Sequence, residues 1–177
     1  MSTLKIPVGP SDHVAGDESA PVTLVEYGDY ECPHCGRAYP IVKKVQKHFG
    51  KNLRFVFRNF PLTEMHPNAE FAAETSEFAG AHKKFWQAHD MLFENQNRLG
   101  GELYAELAQK LNLDPAELGD ALKKREYGAK VHADFSGGVR SGVNGTPTFF
   151  INGSRLDVPW EYDDLVTAID AAISAKA

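Results

Sequence analysis

Cys32 and Cys35 are the only two cysteines in a chain of 177 residues, and only Pro33 and His34 separate them. A disulfide framework for a small exported fold uses more cysteines, set farther apart. A bridge this short closes almost no loop, so it would constrain the unfolded chain little. Chemistry explains the pair better than architecture does. Two cysteines at this spacing on the first turn of a helix present both sulfurs on one side. Cys32 would lie at the helix N-terminus, where unpaired N–H groups and the positive end of the dipole favour an anion. The thiolate is the attacking species in disulfide exchange, so a lowered pKa would make Cys32 reactive near neutral pH. Cys35, one turn in, would resolve the mixed disulfide. The His34 imidazole would stabilise the thiolate further, and Pro33 removes an N–H and stiffens the turn. A stabilised thiolate stabilises the reduced form and makes the disulfide a stronger oxidant. Zinc ligation and an inert buried pair are the other readings. Structural zinc takes four ligands. There is no second cysteine pair, and none of the seven histidines shows the H-x-x-x-H spacing.

The rest of the composition sets bounds. The length suits one domain, or one domain with an insertion. The net charge of -5 and the absence of any Lys/Arg-rich run argue against a nucleic-acid partner. No apolar run approaches the roughly 18 residues that span a bilayer, so no membrane insertion is expected. The first residues, Met1 to Pro7, show no apolar signal region. That leads to an expected cytoplasmic location, or a periplasmic or exported one if a leader has been removed.

The elements that must position the cysteines can be read from pattern. Residues 1–20 are polar and read as an arm. Val22 to Tyr27 is β-branched and apolar, hence a largely buried strand. Glu26 lies inside that strand, where a carboxylate is costly unless paired or neutral. Gly28 to Glu31 turns the chain. A helix starts at Pro33, carries Pro40 inside it and stops at Gly50. Leu53 to Arg58 is a second strand. Residues 63–129 contain no convincing strand. Phe71, Phe78, Phe85 and Leu92 recur every seven residues beside Ala72, Ala79, Trp86 and Phe93, one wide helical face with a break near Gly80. His82 and His89 on this stripe read as packed histidines rather than metal ligands or proton relays. Asp114-Pro115 looks like a helix cap followed by a first-turn proline. Strand signals return at Thr148 to Ile151, with a hairpin at Asn152-Gly153. A last helix runs from about Glu161 to Ala175.

At Val25 to Cys35 the sequence resembles the active-site region of DsbA-like disulfide oxidoreductases, members of the thioredoxin superfamily. Gly142 to Gly153 is similar to that family's cis-proline loop. Lys84 to Asp90 and Phe93 to Gln96 resemble its helical insertion. The similarity extends over residues 12–175. It implies an α/β thioredoxin fold, a mixed central sheet flanked by helices, with an inserted all-helical domain. The implied division is an arm at 1–20, a thioredoxin-like domain at 21–62 and 130–177, and a helical insertion at 63–129. Pro147 would be cis and face Cys32. Thr146 would offer backbone groups to an extended substrate; the family's prototype oxidase has valine there. Glu26 would be the superfamily's buried acid, moving the proton of Cys35. The expected activity is disulfide exchange with protein or peptide substrates, of oxidase or isomerase type. A cytosolic thioredoxin-like reductase is one alternative, and a peptide-binding module with a vestigial or zinc-loaded C-x-x-C is another. The reaction requires no metal or organic cofactor, only a redox partner that recycles the pair.

Overall fold

The structure, a computed structural model, describes residues 2–157 and 159–177. Its centre is a five-stranded sheet in the order β1-β3-β2-β4-β5, formed by His13–Gly16 (β1), Val22–Gly28 (β2), Leu53–Asn59 (β3), Thr148–Ile151 (β4) and Ser154–Arg155 (β5). Only the β2–β3 pair is parallel. The parallel pair needs a crossover, and the helix α1 (Pro33–Phe49) supplies it. β2 and β3 are buried along nearly their whole length. They therefore read as continuous apolar runs, because both faces of the sheet are covered.

Alternation along β2 assigns its side chains to two cores. Val25 and Tyr27 join Val56, Phe60, Val143 and Phe150 on one face. Val22 and Leu24 join the larger core on the other face, which includes Cys32, Cys35, Ala38 and Val42 at α1. Glu26 shares the parity of Val22 and Leu24. Its carboxyl group is therefore turned toward α1 and the cysteines.

Between β3 and β4 the chain forms α2 (Ala69–Ala81), α3 (Phe85–Glu94), α4 (Gly101–Lys110), α5 (Pro115–Lys123) and α6 (Gly128–Arg140). The helix α7 (Tyr162–Lys176) closes the chain and buries Leu165 and Ile169. The cap at Asp114 forms as read, with Oδ1 accepting from the Ala116 N–H at 2.8 Å. Asn152 and Gly153 have φ of 48° and 85°, the doubly positive turn that matches the twist of a two-residue hairpin.

Two expectations need correction. The polar arm contains β1, which pairs antiparallel with β3, His13 opposite Phe57. It is also tied down by the Arg58 guanidinium, which donates to Asp12 Oδ1 and Oδ2 at 2.8 and 2.9 Å and to the Ile6 carbonyl at 2.8 Å. The seven-residue stripe holds for Phe78, Phe85 and Leu92, but Phe71 is 40 % exposed. Its ring lies 4.7 Å beneath the Arg125 guanidinium instead of in the core. Pattern gives no strong signal for α6, because Ser136-Gly137-Gly138 lies inside it. A Cβ at Gly138 would come within 2.8 Å of the Phe60 ring and 2.9 Å of Tyr27. The glycines there serve close helix–sheet packing at the expense of helix propensity.

No helix among the described residues is long and apolar enough to cross a membrane. That concerns spanning helices only, and the expectation of a cytoplasmic location gains no support from it.

Candidate active site

Cys32 is the N-cap residue of α1, in extended backbone, with Pro33 in the first turn and no side chain capping the helix. The first N–H groups of α1 are therefore free to face the Cys32 sulfur. The two cysteines are free thiols and both are buried, whereas Pro33 and His34 between them are exposed. Across from Cys32, the Thr146–Pro147 peptide is cis. The Cys32 thiol donates to the Thr146 carbonyl at 3.6 Å. The Thr146 hydroxyl is buried with no partner in the neutral site.

These surroundings favour the Cys32 anion. Its pKa is pushed down to about 5, first by the hydrogen bond from Cys35, then by the Thr146 side chain and the backbone N–H groups of Cys35 and His34, against an opposing cost of burial. The helix-terminal N–H groups lower the Cys32 pKa, the direction the spacing predicts. The His34 imidazole is exposed and makes no hydrogen bond among the described residues. The backbone N–H of His34 is among the groups that lower the Cys32 pKa.

Cys35 is moved the other way. Burial pushes its thiol well up, and the hydrogen bond to Cys32 and the nearby Glu26 carboxyl add to the effect. Glu26 is 3 % exposed, and its Oε1 has no hydrogen-bond partner. Burial, followed by the charge of Cys32, raises its pKa to about 8. Near neutral pH the site thus contains a thiolate, a thiol and a neutral carboxylic acid close enough to shift one another's titration. Opposed shifts in one cluster mark a candidate functional site. Among the described residues no group of three or more His, Cys, Asp or Glu is placed to hold a metal ion.

Two further residues position the cysteines, and pattern did not single them out. Asp29 donates its N–H to Cys35 Sγ at 3.5 Å and accepts from the Cys32 N–H at 3.1 Å. Its carboxylate accepts from the N–H groups of Glu31 and Leu62 and is 2.7 Å from His66 Nδ1. Gln96, beyond α3, donates through Nε2 to the Tyr30 and Cys32 carbonyls at 2.9 and 2.8 Å. A Cβ on Gly36 would collide with Gln96 Oε1. Gln96 lies in a stretch whose family resemblance was visible, but its partners are more than sixty residues away in sequence, so no local signal predicts the contact.

A family model described as thioredoxin matches residues 9–171. The chain belongs to the thioredoxin family. Solved structures that share this thioredoxin-family fold include BdbD from Bacillus subtilis, 27 % identical with a TM-score of 0.88 over 98 % of each chain. A thioredoxin-like oxidoreductase from Silicibacter pomeroyi is also 27 % identical, with a TM-score of 0.82 over 96 % of this chain and 95 % of that one. Wolbachia pipientis alpha-DsbA1, at 22 % identity and a TM-score of 0.79 over 97 % and 95 %, shares the fold. The fold is therefore of the DsbA type, with its helical segment between β3 and β4. Among curated relatives, a Salinispora arenicola protein named Na(+)/H(+) antiporter NhaA 1 is 41 % identical over 172 residues, 97 % of this chain and 26 % of that protein. The chain spans about a quarter of the length of such relatives, and the antiporter name belongs to them.

Proposed function

We propose that this chain is a thiol–disulfide oxidoreductase that exchanges disulfides with protein or peptide substrates through Cys32 and Cys35. One observation carries the reading: Cys32 stands at the N-terminus of α1 with the free thiol of Cys35 one turn in and the Thr146 carbonyl 3.6 Å across from its sulfur, surroundings that push its pKa down to about 5. At neutral pH the reduced protein holds Cys32 as the thiolate. Its sulfur attacks a substrate disulfide; that S–S bond breaks, one substrate sulfur leaves as thiolate and the other is joined to Cys32. Glu26 first releases its own proton; as the carboxylate it takes the proton of Cys35, whose sulfur attacks Cys32 Sγ and expels the second substrate sulfur as thiolate. The substrate gains two electrons and the pair becomes a disulfide. The reverse sequence donates that disulfide to a substrate dithiol. The strong stabilisation of the Cys32 thiolate favours the donating, oxidase or isomerase direction.

Thr146 and Pro147 form the edge along which an extended substrate would lie. A cleft continues past Pro147 to Leu156 and Trp160, and Arg37 at the start of α1 stacks 4.3 Å from the Trp160 ring. No metal or organic cofactor enters these steps, and a separate redox partner returns the pair to its working state. The antiporter activity in the curated relatives' names is not carried over to this segment.

Trapping tests the reading. Without Cys35 the mixed disulfide cannot resolve, so Cys35→Ala incubated with a disulfide-bonded protein should accumulate a Cys32-linked adduct visible by mass spectrometry. Cys32→Ser should form none. No adduct, together with zinc retained through purification and lost in Cys32→Ser, would instead favour a non-catalytic peptide-binding module.

A further inference from the structure

Glu26 can accept the Cys35 proton only if it first loses its own, and it is sealed beneath the sheet. Among the described residues a cavity reaches it. Its lining includes Glu26 from β2, Tyr39 and Lys43 from α1, and Trp86 and His89 from α3. The room for a water centre is about 10 Å³, roughly what one water molecule needs.

Two buried polar atoms on this lining lack hydrogen-bond partners: Glu26 Oε1 and His89 Nε2. Both residues are 3 % exposed. An orphaned buried polar atom is expensive, and one water in the space that both residues line would offer each of them a partner. On its other side His89 Nδ1 is 3.0 Å from Asp90 Oδ1. Asp90 Oδ2 is 2.8 Å from Lys43 Nζ. Asp90 and Lys43 have side chains 29 % and 42 % exposed, so the chain of polar groups ends in solvent.

We propose that His89 and one water molecule in this cavity form the route by which the proton taken by Glu26 from Cys35 reaches solvent at Asp90. The proposal rests on the dithiol reading above. The directions of the bonds agree along the line. Glu26, as the acid, donates to the water, and the water donates to His89 Nε2. His89 donates from Nδ1–H to the Asp90 carboxylate. Burial lowers the His89 pKa and leaves Nε2 a free acceptor. A proton that enters at Nε2 is balanced by one that leaves from Nδ1. No electrons move, and the thiol proton of Cys35 ends in bulk water.

Formation of the mixed disulfide also helps to start this transfer. It removes the charge of Cys32, the second cause of the raised Glu26 pKa, so the Glu26 proton becomes easier to release just as Cys35 must act. The other titratable groups facing this line are Tyr30 from the turn after β2, Tyr39 and Lys43 from α1, and Asp90 and Glu94 from α3. His13 of β1 lies behind, stacked 3.7 Å from the Phe85 ring. Burial holds the Tyr30 and Tyr39 hydroxyls well above neutral pH in their protonated form, which leaves His89 as the proton carrier. His89 touches no reacting sulfur and acts through Glu26.

The test separates two steps in the reaction of the reduced protein with oxidised glutathione. Attack by Cys32 depends on glutathione concentration, whereas closure by Cys35 does not. His89→Leu should slow closure at neutral pH by about tenfold or more, less than the ~10²–10⁴ of a directly placed acid–base group, and leave the attack rate alone. His89→Gln keeps a hydrogen-bonding side chain that cannot carry a proton, and it should lose closure to the same degree. If His89→Leu does not fold, the glutamine variant decides the matter. Free imidazole should restore closure in His89→Ala. Adding His89→Leu to Glu26→Gln should cost nothing further, because both act on one path. Closure at the wild-type rate in His89→Gln overturns the route. So does a parallel fall of attack, closure and unfolding midpoint, which would mark His89 as packing alone. Wild-type protein that forms neither mixed disulfide nor internal disulfide defeats the dithiol reading itself, and the route with it.

Discussion

Removing the Thr146 hydroxyl tests how Cys32 stays deprotonated. This hydroxyl is buried and unpartnered until a thiolate is there to accept from it. A hydrogen bond to a charged group contributes about 1.5–3 kcal/mol, and one pKa unit is about 1.4 kcal/mol. Thr146→Val is therefore expected to raise the Cys32 pKa by about one unit in a thiolate absorbance titration, at the low end because Cys35 and two backbone N–H groups remain. His34→Ala should move it less, since the imidazole is exposed and only the main chain of His34 faces the sulfur. A larger shift from His34→Ala than from Thr146→Val would reverse this ranking. Cys32, Cys35 and their helix start were legible because they are adjacent in sequence. The division of labour between Thr146 and His34 was not. It depends on where a loop 114 residues away crosses the helix terminus.

The glycines of the helices make opposite predictions according to what stands beside them. Gly138 in α6 faces Phe60 and Tyr27 with no room for a methyl group. Gly138→Ala should destabilise the protein by about 1–3 kcal/mol through overpacking, measured by denaturant unfolding. Gly119 in α5 has nothing within 4 Å of where a Cβ would stand. Gly119→Ala should stabilise by about 0.5–1 kcal/mol, the helix-propensity difference. The same contrast explains what pattern could show at this scale. α1 and α5 announce themselves through a first-turn proline, and β2 and β3 through β-branched apolar runs. α6 looks broken to any propensity argument because its glycines answer to Tyr27, more than a hundred residues earlier. β1 is four residues of mixed character that become a strand only because the edge of β3 is there to pair with. The stripe through Phe78, Phe85 and Leu92 extends to Phe71 on paper, but at that end of α2 the ring meets Arg125 and solvent.

Over the whole molecule, the site couples redox state to stability. The folded reduced protein holds Cys32 near 5 against an ordinary value of 9.0. A pKa depressed by folding adds stability that is complete above the unfolded value and lost as pH falls through the folded one. The oxidised protein has no such thiol to titrate, and the burial penalty on Glu26 is common to both forms; the part of its raised pKa that comes from the Cys32 charge belongs to the reduced form alone and opposes the gain as pH nears 8. The stability of the reduced form minus that of the oxidised form should therefore grow by about 1.4 kcal/mol per pH unit from about 5 to about 7 and flatten above that. Denaturant unfolding of both forms across that range measures it, and a flat difference would show that folding does not depress the thiol. Asp29 and Gln96 belong to this scale too, since they fasten the redox turn to the segment after β3 and to the helical block. A change in either should reach Cys32 through the backbone.

The central claim is that Cys32 and Cys35 form a redox-active pair whose reduced state is held by a stabilised thiolate. Its most direct test is the equilibrium of the pair with reduced and oxidised glutathione, read as the fraction of protein with free thiols. The account predicts reversible exchange and a pair far more oxidising than thioredoxin, with a potential well above about −270 mV. A pair poised at or below that value would point to a reductase. A pair that never equilibrates with glutathione would contradict the account outright.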